Sequence, residues 1–514
     1  MESAMAKPEW DVVIVGSGAA GSVLAGRLSE QPDKRILLIE AGSAPENSGS
    51  YAPEILSAGI VAGARAQLPI NWVVPGWITQ SREFAATRGR VLGGSSATNG
   101  GYFIRPRRSD FLRWMTSGTS LWGYDHALPI LRAMECDADY GSTALHGDAG
   151  PVPVTHTPSG STAAQTFFSA AHELGINDHL DMNDESDEGV GPVPTNTRGD
   201  VQVNAAMAYL EPARARENLT IWADTIVERV LFGGTAATGV RVRRGGETFD
   251  VPAGEVILCA GALATPQLLM LSGIGPAAQL EKFDIPVIVD SPGVGQGLSD
   301  HPQIFGMWMP TDVEAHNGGS WMGGVLHTEY EGSAIEVILS EVSLPELVGD
   351  EPNGTHALIT APITPRRTGE VVITSASIDD APTVHYNYLT NDDVRADLRA
   401  AARLTHAMLA TAAIGKNSQW TWGPSDAEVA DDDALDTWIA ENIGTSMHAC
   451  ATASFAGPNP VVDPEGRVLG VDGLRVADTS ILPAAPSRGP AVAAMLIGEI
   501  IAKSIAETIK AESE

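Results

Sequence analysis

The sequence predicts an α/β protein: a Rossmann-like nucleotide-binding domain that the chain leaves and re-enters, with an inserted α+β domain built on an antiparallel sheet. Three observations predict it. The chain opens with a strand, a glycine turn, a helix and a second strand. A second buried strand, residues 255–258, runs through Cys259 and Ala260 into Gly261. Between them and a glycine-rich α/β ending lies a stretch of short alternating runs, the pattern of an antiparallel sheet.

The opening unit has a role for each part. Residues 11–15 form an apolar strand, and Gly16-Ser17-Gly18-Ala19-Ala20-Gly21 leads into an apolar helical stretch ending at Leu28. Gly16 permits a tight turn, Gly18 lets backbone approach a pyrophosphate, and Gly21 lets helix pack on strand. The N-terminus of that helix points unpaired N–H groups at phosphates. A strand over 36–39 ends at Glu40, followed by Ala41, and Glu40 is placed to bond a ribose diol. A lone GxGxxG is weak evidence, but here it has its strand, its helix and its acid. The bland alternative is a glycine turn that binds nothing.

Further along, residues 112–114 and 127–133 read as helical, and 218–243 as two or three strands with a Gly-Gly turn. Residues 264–272 have helical length, with Gly273 as a stop. Runs at 370–374 and 383–386 suggest the antiparallel sheet. Residues 393–411 form an amphipathic helix, and an acidic loop holding Asp426, Glu428, Asp431, Asp432 and Asp433 reads as a solvated face before a helix near 435–441. Residues 474–477 are a strand. A final helix spans 490–505, with Pro490 at its first position. The expected division is 9–155, 200–300 and 445–507 for the nucleotide domain, and 156–199 and 301–444 for the inserted one.

Composition narrows the partners. The 514 residues carry 64 acidic against 32 basic side chains, a net charge of −32, so nucleic acid and anionic membranes are excluded as partners. Ordinary solubility explains the charge, with a salty cytoplasm as the alternative. The three cysteines, Cys136, Cys259 and Cys450, form no CxxC pair or metal spacing and suit a reducing, cytoplasmic compartment. The N-terminus, with Glu2 and Lys7, lacks a signal-peptide core, and no apolar run is long enough to span a membrane.

Several ordered motifs carry a family resemblance. They include Gly89-Arg90-Val91-Leu92-Gly93-Gly94-Ser95-Ser96-Ala97-Thr98-Asn99 and the stretch from Gly261 to Gly275 (GALATPQLLMLSGIG). Trp122-Gly123-Tyr124-Asp125, His146-Gly147, Gly293-Val294-Gly295, Asp300-His301 and Gly473-Leu474-Arg475-Val476-Ala477-Asp478 support them. Together they resemble the glucose–methanol–choline (GMC) oxidoreductases, FAD-dependent alcohol oxidases and dehydrogenases, nearly end to end. The resemblance implies FAD contacts from Arg90, Gly93, Gly94, Ser95, Asn99, Gly100 and Gly101. It adds Val227, Ala260, Gly261, Asp478, Pro490 and Ala491. Some relatives carry a flavin-linked His where this chain has Thr98, so dissociable FAD is expected.

Alcohol oxidation needs a base for the hydroxyl proton, and neutral imidazole suits it. The resemblance assigns that base to His448, at the head of His448-Ala449-Cys450-Ala451, where Ala451 replaces a usual glycine. Relatives place a second His or Asn at the position of Gly489. Three remedies are open: Arg488 turned inward onto substrate or flavin, a water, or a bulkier alcohol. The last helix would aim its positive end at the flavin. Trp72, Trp77, Trp321 and Phe455 are candidate wall residues. Ser487-Arg488-Gly489-Pro490 is also similar to the GMC branch associated with mycofactocin, which implies a reduced redox carrier as substrate. The electron acceptor is open between oxygen, a quinone and the respiratory chain. The competing readings are a hydroxynitrile-lyase-like enzyme with structural FAD, and a non-catalytic protein on the same scaffold.

Overall fold

The computed structural model describes residues 9–115, 119–158, 160–312 and 319–513; the segment holding Glu2 and Lys7 lies outside them. β1 (Trp10–Val15), α1 (Ala19–Leu28) and β2 (Ile36–Ile39) form as expected. β1 lies between β2 and the strand Glu247–Leu258, parallel to both, with Val13 opposite Leu37 and Val256. Leu219–Trp222 and Leu474–Val476 complete a parallel sheet at its two edges. Val13, Ile14, Leu37, Leu38, Val256 and Ile257 have no exposed surface. A sheet covered on both faces needs such unbroken apolar runs, which is why they were legible.

The strand Glu247–Leu258 belongs to two neighbourhoods. Its second half joins the parallel sheet, while its first half pairs antiparallel with Ala236–Arg244, which pairs with Thr225–Gly233. The last helix, Ala491–Ser513, lies against α1. Gly498 allows the approach, since a Cβ there would meet Ala20 O and Val23 Cβ at 2.7 Å. Arg27 and Glu499 pair across this seam at 2.9 Å.

A second sheet is antiparallel throughout, in the order Ser418–Trp422, Pro302–Pro310, His356–Pro362, Ser333–Ser340, Met322–Tyr330, Gly189–Gly191. A third is mixed. Arg367–Val372 and Thr383–His385 pair antiparallel, as the alternating runs suggest. Thr383–His385 then pairs parallel with Asn71–Trp77, whose neighbour is Glu83–Gly89. The runs at 370–374 and 383–386 therefore belong to a different sheet from the main antiparallel one.

Three local readings are corrected. The helix expected from 264 starts at Gly261, because Asp478 Oδ2 accepts from the Gly261 N–H at 2.9 Å and so caps it. The acidic loop is two short helices, Asp426–Val429 and Asp432–Asn442. Ser425 and Glu428 form a capping box, Asp431 caps the second helix, and Asp432 pairs with Arg399 and Arg403. Pro490 is the residue before the last helix: its carbonyl accepts from the Ala494 N–H at 2.8 Å.

Candidate active site

One cavity of about 1360 Å³ runs from the turn after β1 to the antiparallel sheet. At one end it is lined by Gly16, Ser17, Gly18, Ala19, Ala20, Glu40 and Ala41. Gly16 has φ +97°, and a Cβ there would lie 2.5 Å from Cys259 O, so this turn demands glycine. At Gly18 a Cβ would meet nothing in the protein closer than Cys259 O at 3.9 Å, and at Gly261 nothing within 4 Å. Both line the cavity, so bare backbone is presented there to a ligand. Glu40 is held by its own chain: Oε2 accepts from the Ser17 N–H at 3.0 Å and Oγ at 2.5 Å, and Oε1 from the Gly42 N–H. Burial raises its carboxyl.

The middle of the cavity takes Arg90, Gly94, Ser95, Asn99, Gly100, Val227, Ala260 and Gly261. Arg90 stacks over Trp72 at 4.3 Å. Asp478 reaches the wall, but its oxygens are taken by Gly261 N, Thr265 Oγ1 and Ser480 N. The first turns of α1 and of the last helix, with Pro490 and Ala491, open on the same space. Three implied residues stay behind the wall: Gly21, Gly93 and Gly101. Gly21 packs helix on turn, since a Cβ there would meet Gly16 O at 2.0 Å. The glycine cradle, the helix N-termini and the volume fit FAD.

At the other end, His448 faces the cavity beside Gly489. A Cβ on Gly489 would sit 3.7 Å from His448 Nε2 and 3.6 Å from Tyr102 Cδ1. On its far side His448 Nδ1 meets Nδ1 of buried His301 at 3.0 Å. Asp300 Oδ1 accepts from the backbone N–H of both histidines at 2.7 Å and so fixes their spacing. Burial, then His301 and Arg88, pushes the His448 imidazole well below its usual range; burial takes His301 down to about 4. Both rings are therefore neutral at neutral pH. Ala451, in the same segment, adopts φ +74°, the left-handed region that favours glycine.

Arg488 is neither in the cavity nor on the surface. It is 1% exposed, and its guanidinium donates to the carbonyls of Met182 and Ser186. An inward turn would strand those carbonyls, so the direct contact considered for it is not made. Gly489 contributes backbone only. Trp72 and Trp321 line the cavity, but Trp77 does not, and Phe455 is stacked on Trp122 at 5.3 Å.

Sequence reasoning missed other wall residues. Tyr102 occupies space beside the bare Gly489, and its hydroxyl donates to Glu336 Oε2 at 2.9 Å. His327 Nε2 meets the same oxygen at 2.8 Å. His301 had a signal, since Asp300-His301 stood among the family stretches. Tyr102 and Glu336 had none, being 234 residues apart.

The comparisons agree with this geometry. The sequence profile of the GMC oxidoreductases matches residues 10–303 with its N-terminal part and 365–498 with its C-terminal part. An uncharacterized GMC-type oxidoreductase of Rhodococcus erythropolis is 35% identical, over 95% of this chain and 97% of that one. The 5-(hydroxymethyl)furfural oxidase of Methylovorus sp. is 34% identical, over 96% and 98%. An oxygen-dependent choline dehydrogenase of Brucella anthropi is 32% identical, over 92% and 91%. Among solved structures, pyridoxine 4-oxidase from Mesorbium loti superposes with a TM-score of 0.90 at 28% identity, covering 97% of this chain and 99% of that one. No helix among the described residues is long and apolar enough to cross a membrane. The chain belongs to the GMC oxidoreductase family of FAD-dependent enzymes that oxidise alcohols.

Proposed function

We propose that the protein oxidises a small-molecule alcohol, with His448 Nε2 taking the hydroxyl proton. Bound FAD supplies the acceptor for the hydride. The observation that carries this reading is the His301–His448 pair: one ring is locked at Nδ1 while its other nitrogen faces the cavity. If His448 carries its proton on Nδ1 and donates it to His301 Nδ1, its Nε2 keeps a lone pair toward the substrate. His301 then carries its own proton on Nε2, a buried atom with no hydrogen-bond partner among the described residues. The wall around them (Phe305, Met307, Trp321, Ile338) excludes water and orients an apolar carbon skeleton.

FAD is held without a covalent link in this reading, because Thr98 offers no imidazole. The division of the chain into nucleotide and inserted domains is supported in its main part by two apolar clusters, one around Ile14 and Ile497, the other around Leu326 and Leu404, while Val74, Ile78 and Ala86 of the 9–155 segment pack with the second. The cysteines, all free, support a reducing compartment such as the cytoplasm. Ser487-Arg488-Gly489-Pro490 adds the reduced mycofactocin carrier to the substrates to be tried, with oxygen or a quinone as the final acceptor.

The test is anaerobic mixing of the FAD-loaded protein with a panel of alcohols and the reduced carrier. Bleaching of the flavin is expected. A flavin that stays oxidised with every alcohol, while the protein cleaves a cyanohydrin, overturns oxidation in favour of the lyase.

A further inference from the structure

Glu336 is a buried carboxylate on the cavity-facing side of the antiparallel sheet, and the chemistry above makes no use of it. It is 4% exposed and stands in one row with Ala361 and His327 on the neighbouring strands. Ala361 is small and also lines the cavity, so the row opens a hollow beside the carboxylate. Both donors that reach Glu336, the Tyr102 hydroxyl and His327 Nε2, bond to Oε2. Oε1 has no hydrogen bond among the described residues, yet it is not among their sealed, unpaired polar atoms. It therefore opens onto the cavity that the side chain lines. Leaving a carboxylate oxygen bare against apolar walls costs free energy unless a ligand group meets it.

Charge decides what kind of group. Burial disfavours the ionised forms of Tyr102 and Glu336, and the charges of Arg488 and Arg107 oppose it. Arg488 donates its hydrogen bonds to carbonyls and has no carboxylate within ion-pair distance among the described residues. The positive charges of Arg488 and Arg107 thus already face Glu336 and Asp110 through space, and a full positive charge on the ligand would add to the positive side. A hydroxyl fits better for a second reason: it donates to the carboxylate and accepts from the acid, so it suits either state of Glu336.

We infer that Glu336 Oε1 is a second recognition point, selecting an uncharged alcohol that carries another hydroxyl at the end remote from His448. This rests on the alcohol-oxidation reading, and it names the class of substrate.

The test uses the FAD-loaded protein and three redox-inert tertiary alcohols on one carbon skeleton: dimethylhexanol, dimethylhexanediol with the second hydroxyl at the far end, and the corresponding far-end ammonium compound. None has a hydrogen on its carbinol carbon, so affinity is read by calorimetry without turnover. The diol is expected to bind about tenfold tighter than the plain alcohol, and tighter than the ammonium compound. Glu336→Leu should bring the diol and the plain alcohol to within about twofold. Glu336→Gln, which keeps the shape and offers an amide to the same hydroxyl, should retain most of the preference. Equal binding of diol and plain alcohol by the unaltered protein overturns the inference. So does tighter binding of the ammonium compound, or a preference that survives Glu336→Leu. If Glu336→Leu does not fold, the unaltered protein and Glu336→Gln still decide. Failure of oxidation appears separately, as a flavin that primary alcohols do not bleach.

Discussion

His301 and His448 meet Nδ1 to Nδ1 at 3.0 Å, and two neutral imidazoles make that contact only when one of them carries its proton there. The choice matters. A proton on His448 Nδ1 leaves Nε2 free to act as base; a proton on His301 Nδ1 forces the hydrogen of His448 onto Nε2 and abolishes that role. His448→Ala is expected to keep FAD bound and slow flavin reduction by about 100-fold or more, read by anaerobic stopped-flow absorbance. Unchanged reduction removes the base assignment.

His301 also bears on pH. The base must be neutral, and burial holds the His448 imidazole below its usual 6.5, with His301 and Arg88 adding to the shift. The reduction rate should therefore stay flat across neutral pH and fall only when acid takes it through a value below 6.5. His301→Phe removes a neighbour that disfavours the charged ring, so the acid limb should move upward while the plateau falls by about tenfold. A limb that stays in place argues that His301 does not tune His448.

Gly16 and Gly18 separate fold from cofactor. Gly16→Ala puts a Cβ 2.5 Å from Cys259 O at φ +97°, and should cost about 2 kcal/mol or more of stability. Gly18→Ala meets no protein atom closer than 3.9 Å. It should leave the melting temperature of the apoprotein nearly unchanged and weaken FAD binding by about tenfold, measured by fluorescence titration.

Arg488 should behave as a structural residue at close range and an electrostatic one at longer range. Arg488→Leu leaves the Met182 and Ser186 carbonyls without their donor and Glu336 with Arg107 alone of its two opposing charges. A loss of about 3 kcal/mol is expected by chemical denaturation. A variant as stable as the parent would contradict the buried placement.

His146, which does not line the cavity, gives a stability signature of its own. Burial alone would lower its imidazole, but hydrogen bonds to Asp137, Asp181 and Glu135 outweigh it and raise the value to about 10. A raised folded-state value contributes stability that is complete below the unfolded value of 6.5 and is lost as pH climbs toward 10. The melting temperature should fall across that window, and His146→Gln should flatten the fall.

The legible parts of this molecule are those whose physics is local. β1, α1 and β2 follow from one apolar run, one glycine turn and one more apolar run, each readable within a few residues. His448 and the Gly89–Asn99 loop were found because motif order survives in sequence. The pairing of Thr383–His385 with Asn71–Trp77 was not legible, since strand partners some 300 residues apart leave no local trace. The same holds for Tyr102 and Glu336. The direction of Arg488 depends on carbonyls offered by a distant loop, and no feature of Ser487-Arg488-Gly489-Pro490 reports them.

The seam between α1 and the last helix has a consequence for biosynthesis. Arg27 must wait for Glu499, which is synthesised 472 residues later, and Ala20 for Gly498 beside it. The leading βαβ unit therefore emerges with one flank uncovered and stays so until that helix has been made. Nascent chains halted short of that helix should be colourless and sensitive to protease, and the yellow of bound flavin should develop only once the helix has emerged.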